Sequence, residues 1–351
     1  MKTNAKALYQ EALSLLPTRS GAETSVGLDF NHSQVFGLEL GIKKGRHAVS
    51  RFASEPCRKG SQKLDEVLLR LFEKGKFSSH NVNIALSGSV VLVRFIEYPK
   101  MSLEELRNSM KFQIEQYIPF QADDVITDYH ILGDSEQNKK DMRVILVAAK
   151  KTEVMSLLEN IQKAYLSVQT VDIHALACLN AFLASQPEGK NPGTVILLDI
   201  GQLTSAMLVL KNGEPMFVRE IALGNQEVLE LFRKKMPPDT DFSDFTGWEN
   251  AVKASPAAFS ESVEPLFSQI RLSVNYFLSR HTQVDPPKMI YLSGDLCEIP
   301  EIAPLLEKTL GFQARTWDCM QGADAGTFAY QMEHYRSVMP VAMGLALRRE
   351  G

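Results

Sequence analysis

Two acidic turns constrain this chain more than any other feature of its sequence. Val26-Gly27-Leu28-Asp29 and Leu197-Leu198-Asp199-Ile200 each carry an apolar run to an aspartate, and each is followed by a second strand pattern, over Gln34–Leu40 and Ser205–Lys211. Strand, acidic tight turn and strand, opening two separate stretches, mark an internal duplication, so the chain is expected to form two related α/β halves. Its 351 residues leave room for both, since one hydrophobic core stops growing well before that length. The aspartate of such a turn can hold a metal ion, usually through water, while the backbone N–H groups beyond it face a phosphate. Two of them facing one another across a cleft make a nucleotide clamp, and a third, glycine-containing turn would hold base and ribose. Either turn alone is an ordinary hairpin.

Periodicity predicts the elements between them. A leader over residues 1–24 carries one amphipathic helix, Ala5–Leu16, ended by Pro17. Helical spacing covers Leu64–Phe72, and strands cover Val82–Leu86 and Val90–Glu97 around Ser87-Gly88-Ser89. The clearest helix spans Lys100–Phe120: Ser102 and Glu105 form a capping box, Leu103, Leu106, Met110 and Ile114 repeat at helical steps, and Pro119 stops it. Strands follow at Tyr129–Leu132, Met142–Ala149 and Val168–Val171, with helices at Thr152–Ala164 and His174–Leu183. Gln186–Gly193 is the main break. Beyond it come three strands, Thr194–Ile200, Ser205–Lys211 and Pro215–Ile221, the last two joined by Asn212-Gly213, a strong hairpin signal. Asp239–Ser255 reads as irregular, Pro265–Arg280 as a long helix, Met289–Leu292 as a strand, and Ile302–Leu310 and Val338–Leu347 as helices.

Composition excludes several functions. Thirty-eight Lys and Arg against 42 Asp and Glu give a net charge of −4, with no basic cluster of the kind phosphate backbones require, so no nucleic-acid partner is expected. No apolar run approaches the ~20 residues of a membrane helix, and charged residues interrupt the N-terminal segment where a secretion signal would need an apolar core. The four cysteines and seven histidines are scattered, outside any metal-ligand spacing, and the cysteines read as reduced core residues. The chain reads as cytosolic.

Taken together, these residues resemble the actin-like ATPase superfamily, and most closely the PilM family of type IV pilus assembly proteins, with the division protein FtsA more distant. The resemblance is carried by Val26–Leu40, Arg94–Leu132, Val147–Lys150, Val171-Asp172-Ile173, Leu198–Gly201 and Val341–Leu347, and its most specific part is Pro99–Phe120. It implies an α/β, two-lobed actin-like fold of the duplicated ribonuclease H-like kind, with a small αβ subdomain inserted in the first lobe. The implied division is an extension over 1–24, a first lobe over 25–95 and 151–187, the insertion over 96–150, and a second lobe over 188–351. ATP with magnesium is the implied cofactor, held by Asp29, Asn31, Ser33, Asp199, Gly201, Thr204, Gly224 and Gly294. The implied partner is the N-terminal cytoplasmic tail of a PilN-like bitopic membrane protein. Arg94, Ile96, Ile114, Tyr117, Ile118 and Phe120 would meet it, and pilus or secretion motor ATPases would be further partners. The protein would then sit in the cytoplasm, peripheral to the inner membrane through that partner, with its oligomeric state open.

The cleft departs from the family pattern. Asn31 stands in the first turn where the family has glycine, His32 and Gln34 replace small residues, and Phe36 stands where a lysine is common. The nucleoside turn Ser293-Gly294-Asp295-Leu296 has one glycine, Asp295 puts a carboxylate where a polyphosphate would lie, and Gln269 replaces a ribose-binding Glu. The leading expectation is therefore a non-enzymatic scaffold of a pilus or type II secretion platform with a degenerate nucleotide cleft. The alternative is an active ATPase or phosphotransferase that uses Asp199. A third reading, an FtsA-like filament tethered to membrane, would require residues 5–16 to supply the membrane helix.

Overall fold

Strand β1 (Val26–Asp29) is buried along its length because it lies inside a sheet, antiparallel to β2 (Gln34–Lys43) on one side and parallel to β4 (Asn81–Leu86) on the other. With β3 (Arg46–Pro56) beyond β2 and β8 (Ser167–Ile173) beyond β4, the sheet has the order β3-β2-β1-β4-β8. The computed structural model describes residues 26–30, 33–43, 46–57, 63–135, 138–186, 193–242 and 245–348. The predicted leader helix, Asn31, His32 and most of the Gln186–Gly193 break lie outside the described residues.

The second half repeats the first. Strand β9 (Thr194–Ile200) runs antiparallel to β10 (Ser205–Lys211) and parallel to β12 (Met289–Ser293), as β1 does to β2 and β4. With β11 (Glu214–Ile221) and β13 (Gln313–Thr316) the order is β11-β10-β9-β12-β13. The duplicated acidic turns therefore occupy equivalent places in two equivalent sheets. Every residue of β9 is buried, as expected of a central strand covered on both faces.

Between β4 and β8 the chain builds a third sheet from β5 (Val91–Pro99), β6 (Val125–Asp134) and β7 (Asp141–Lys150), in the order β5-β7-β6. Helix α1 (Leu64–Gly75) precedes it, and α2 (Leu103–Gln113) covers one of its faces through Leu106 and Met110, packed with Tyr98, Tyr129, Val144 and Leu146. The other face, through Val91, Val93, Ile145 and Ala149, joins the core of the first sheet. The capping box forms: Glu105 N–H donates to Ser102 Oγ at 3.3 Å, and Ser102 N–H donates to Glu105 Oε2 at 2.8 Å. The helix stops at Gln113, short of the predicted Phe120, and tightens into a 3-10 turn over Ile114–Gln116. The departure begins at Gln113, with φ −121° and ψ −5°, and Pro119 disfavours helical backbone at Ile118, so the helix does not resume.

Helices α3 (Lys151–Lys163) and α4 (His174–Ser185) flank β8, and α5 (Asn225–Lys235), α6 (Phe245–Ala254) and α7 (Pro256–Arg280) follow the second meander. Helix α6 falls in the stretch expected to be irregular. Trp248 holds it there, against Phe242 at 4.3 Å between ring centroids and against Phe232 at 6.2 Å. Strand β13 had no alternating pattern to reveal it, because only Ala314 of its four residues is buried. Helix α8 (Ile302–Leu310) lies beside β13, and α9 (Pro340–Ala346) returns to the first sheet.

That return depends on two close approaches. A Cβ on Gly344 would lie 1.7 Å from the Ala177 carbonyl oxygen of α4, and one on Gly27 of β1 would lie 2.2 Å from the Ala342 carbonyl oxygen of α9. Asn83 of β4 then donates its amide to the Leu345 carbonyl at 2.9 Å, and Arg348 Nε meets the buried Asp172 carboxylate at 2.6 Å. Gly344→Ala is expected to lower unfolding free energy by about 3 kcal/mol or more in chemical denaturation, because backbone atoms on both sides must shift. Phe112→Ala, at a position 88% exposed, is expected to stay within ~0.5 kcal/mol of wild type.

Candidate functional site

The two acidic turns meet where the sheets face one another. Asp29 closes β1 and Asp199 is the penultimate residue of β9, with relative exposures of 3% and 1%. Strand β12 places Ser293 in register with Asp199, and the Ser293 hydroxyl donates to Asp199 Oδ1 at 2.5 Å. The other carboxylate oxygen, Oδ2, lies 2.7 Å from His174 Nε2. His174 opens α4, so this contact crosses from the first half of the chain to the second. Burial works against a charged imidazole here, but Asp199 first, and then Asp29 and Glu220, carry His174 up to about 9. The pair is thus an imidazolium held against a carboxylate with both partners 1% exposed.

A second crossing lies alongside. Gly88 N–H, from the turn between β4 and β5, donates to Glu220 Oε2 of β11 at 2.9 Å. Burial pushes the Glu220 carboxyl up, while His174 and the Gly88 N–H pull it down. Thr204 closes over the same glycine, its methyl 3.1 Å from where a Gly88 Cβ would stand.

Several backbone groups at the turns are engaged within the chain. Gly201 N–H donates to the Thr204 carbonyl at 3.0 Å, and the first N–H groups of α5, on Asn225 and Gln226, donate to the Gly201 and Gln202 carbonyls at 2.9 and 3.0 Å. Gly224 is what lets α5 approach this closely, since a Cβ there would stand 2.5 Å from both carbonyl oxygens. In the first turn, Ser33 N–H donates to Asp295 Oδ2 at 3.0 Å, and the Asn225 side-chain amide donates to the same oxygen at 3.1 Å. Gly294 holds Asp295 in place: its φ is 102°, its N–H donates to the Ser337 carbonyl at 2.9 Å, and a Cβ would strike the Ile200 carbonyl at 2.1 Å. The depression beside the second turn, lined by Gln202, Leu203, Leu223, Gly224, Gln226 and Glu230, holds about 90 Å³, whereas small-molecule sites usually hold ~300 Å³ or more.

Of the residues expected to hold a nucleotide, Asp29, Ser33, Asp199, Gly201, Thr204, Gly224 and Gly294 therefore gather around this junction, and Asn31 is outside the described residues. Sequence reasoning missed His174 and Glu220. A single histidine at the head of an apolar helix and a glutamate near a strand end carry no motif, and only the fold brings them to Asp199. Phe36, which stands where a family lysine is common, belongs to the core, edge-on to Tyr335 at 5.2 Å between centroids.

The residues expected to meet a partner lie on the third sheet and the turn after α2. Arg94 is exposed on β5, and Ile96, Tyr117 and Phe120 are half-buried at the edge of that small core. Ile114 and Ile118 lie inside it. Lys150 stands over the Phe120 ring, 5.6 Å from its centroid. Arg143 of β7 reaches Glu214 of β11 at 2.8 Å and so ties this sheet to the second half. Among the described residues, no helix is long and apolar enough to cross a membrane, and no group of three His, Cys, Asp or Glu is placed to hold a metal ion.

Comparison with known proteins fixes the fold as two-lobed and actin-like. The chain is similar to the solved PilM–PilN type IV pilus biogenesis complex, at a TM-score of 0.78 and 23% identity over 93% of this chain and 98% of that one. It is also similar to the ethanolamine utilization protein EutJ from Carboxydothermus hydrogenoformans, at a TM-score of 0.50 and 12% identity over 98% and 99% of the two chains. A nucleotide-free diol dehydratase-reactivating factor aligns at a TM-score of 0.51 and 8% identity over 93% and 99%. The family profile of the type IV pilus assembly protein PilM matches residues 27–350, and the chain belongs to that family.

Proposed function

We propose that this chain is a scaffold on the cytoplasmic side of a type IV pilus or type II secretion-type platform. Its inserted subdomain, over about 96–150, takes the N-terminal tail of a PilN-like bitopic protein. Its inter-lobe cleft joins the lobes instead of holding ATP and magnesium. The observation that carries the second half of this reading is the commitment of Asp199. An actin-like ATPase needs that carboxylate free to hold a hydrated cation and to orient water, and here both oxygens are bound, one by Ser293 and one by a buried His174. Breaking a buried ion pair to free one partner costs about 3–5 kcal/mol. The Asn225 and Gln226 N–H groups engaged on the Gly201 and Gln202 carbonyls, and the Ser33 N–H engaged on Asp295, support the same conclusion. A nucleotide with its cation does not fit these residues, and the ATPase alternative is disfavoured for that reason.

The partner half is supported by family membership and by the likeness to a solved PilM–PilN complex. The third sheet is only three strands wide, so both β5 and β6 are edges that an extended segment could extend. Ile96, Tyr117 and Phe120 offer half-buried apolar contacts beside Arg94. Ile114 and Ile118, buried at 4% and 5%, act instead by fixing the turn that presents Tyr117 and Phe120. Membrane association then comes through the partner, and motor ATPases would dock elsewhere on the same molecule.

Three measurements test this. A synthetic N-terminal tail of the cognate bitopic protein is expected to bind saturably in calorimetry. Tyr117→Ala and Phe120→Ala should each weaken it about tenfold, equivalent to ~1.4 kcal/mol, with melting temperature nearly unchanged; wild-type affinity in both variants sinks the site. Ile114→Ala, by contrast, is expected to cost about 2–5 kcal/mol of stability. Titration of wild-type protein with ATP and magnesium should give no saturable heat, and saturable binding would refute the closed-cleft reading.

A pH series tests the His174 pair. Its folded-state value is raised to about 9 from 6.5 by Asp199, Asp29 and Glu220, against burial. The stability it contributes is therefore whole below about pH 6.5 and is lost as pH rises through about 9. His174→Gln should abolish that alkaline loss in denaturant titrations while lowering stability at neutral pH. An unchanged pH profile would remove the pair from the list of contacts that join the lobes.

A further inference from the structure

We propose that the Asp295 carboxylate is a built-in substitute for a bound anion: it takes up the donors of Ser33 and Asn225 and clasps one lobe to the other. The inference rests on the reading that the cleft does not take a nucleotide, and it says what occupies the donors instead. Ser33 follows the first acidic turn in the first lobe, and Asn225 begins α5 in the second. Their N–H donors converge on one oxygen, Asp295 Oδ2, at 3.0 and 3.1 Å. A backbone N–H and a side-chain amide donating to one anionic oxygen are charge-assisted bonds of the kind that would equally hold a phosphate oxygen. Here the anion is covalently part of the chain.

The placement is fixed by the backbone rather than by chance contact of two surface groups. Asp295 follows directly on β12, whose Ser293 is pinned to Asp199. Gly294 between them tolerates no Cβ, at 2.1 Å from Ile200 O, and is tied to Ser337 O at 2.9 Å. Both donors to Asp295 come from outside its own turn. Two further contacts at the cleft, His174 with Asp199 and Gly88 with Glu220, also join a group of the first lobe to a carboxylate of the second. A bound polyphosphate and its cation could supply bridging charges at such a junction. In this chain Asp295 supplies the anion and His174 the cation, so the closed arrangement needs neither.

The test uses the full-length protein without nucleotide. Amide hydrogen exchange is followed at Ser33 and, as an internal control, across β10, in wild type, Asp295→Ala and Asp295→Asn; inorganic pyrophosphate is then titrated into each. Wild type should protect the Ser33 amide and take up no pyrophosphate. Asp295→Ala should speed exchange at Ser33 at least tenfold with β10 unchanged, and pyrophosphate should restore the protection. Asp295→Asn, which keeps an acceptor oxygen without the charge, should fall between the two. Equal exchange at Ser33 in wild type and Asp295→Ala overturns the proposal, and so does a loss of protection that pyrophosphate fails to restore. ATP binding by wild type would instead refute the closed-cleft reading, an outcome separable from the exchange result because exchange is measured before any nucleotide is present.

Discussion

At the cleft the two lobes meet in a buried ion pair, His174 with Asp199, beside the hydrophobic core that both share. Both partners are almost fully removed from solvent, and transferring either charge alone from water would cost several kcal/mol. The cost is offset only because each finds its counterpart across the lobe junction, with Ser293 completing the coordination of Asp199 and Asp29 and Glu220 adding to the field at the imidazole. Neither lobe can keep its half of the pair by itself. Separating them would strand an aspartate in the core of one sheet and an imidazolium at the head of a helix in the other. The Gly88–Glu220 and Ser33–Asp295 bonds cross the same junction.

The chain's last helix supports the junction from behind. Helix α9 packs on β1 and α4 closely enough that Gly27 and Gly344 admit no side chain. It thereby presses from the rear on the two elements that present Asp29 and His174 to the cleft. Asn83 on β4 and Asp172 on β8 hold the end of that helix and Arg348. Residues from the far end of the chain therefore complete the core of the first sheet.

The parts of this fold that were legible in the sequence are those with local causes. The acidic turns announce themselves because strand, aspartate and turn are contiguous. The capping box of α2 is legible because Ser102 and Glu105 are three residues apart, and the hairpin at Asn212-Gly213 because that pair adopts positive φ, 57° and 87°. Elements fixed by distant partners were not legible. Strand β13 is held by β12 through backbone bonds with a single buried residue, and α6 by aromatic contacts to Phe232 and Phe242. The same distinction divides the site. Asp29, Asp199 and the turn glycines could be named from motif, and Asp295 was conspicuous as a departure from it. His174 could not be named, since nothing local separates it from six other scattered histidines.

On the proposed reading, a cleft without nucleotide and retention of the fold are compatible once the cleft is regarded as a joint. In an actin-like molecule the relative position of the lobes is set by what lies between them, and a ligand shifts that position only by binding one arrangement more tightly than another. Internal groups in that place hold one arrangement at all ligand concentrations. The inserted sheet gains from this directly. It packs on the first lobe through Val91, Val93 and Ile145 and reaches the second through Arg143 and Glu214, so a fixed joint fixes the edge strands β5 and β6 as well. Ordering a flexible tail on a preformed edge costs less than ordering both partners together. A scaffold whose task is to hold such a tail would therefore gain affinity from exchanging a switchable cleft for a locked one.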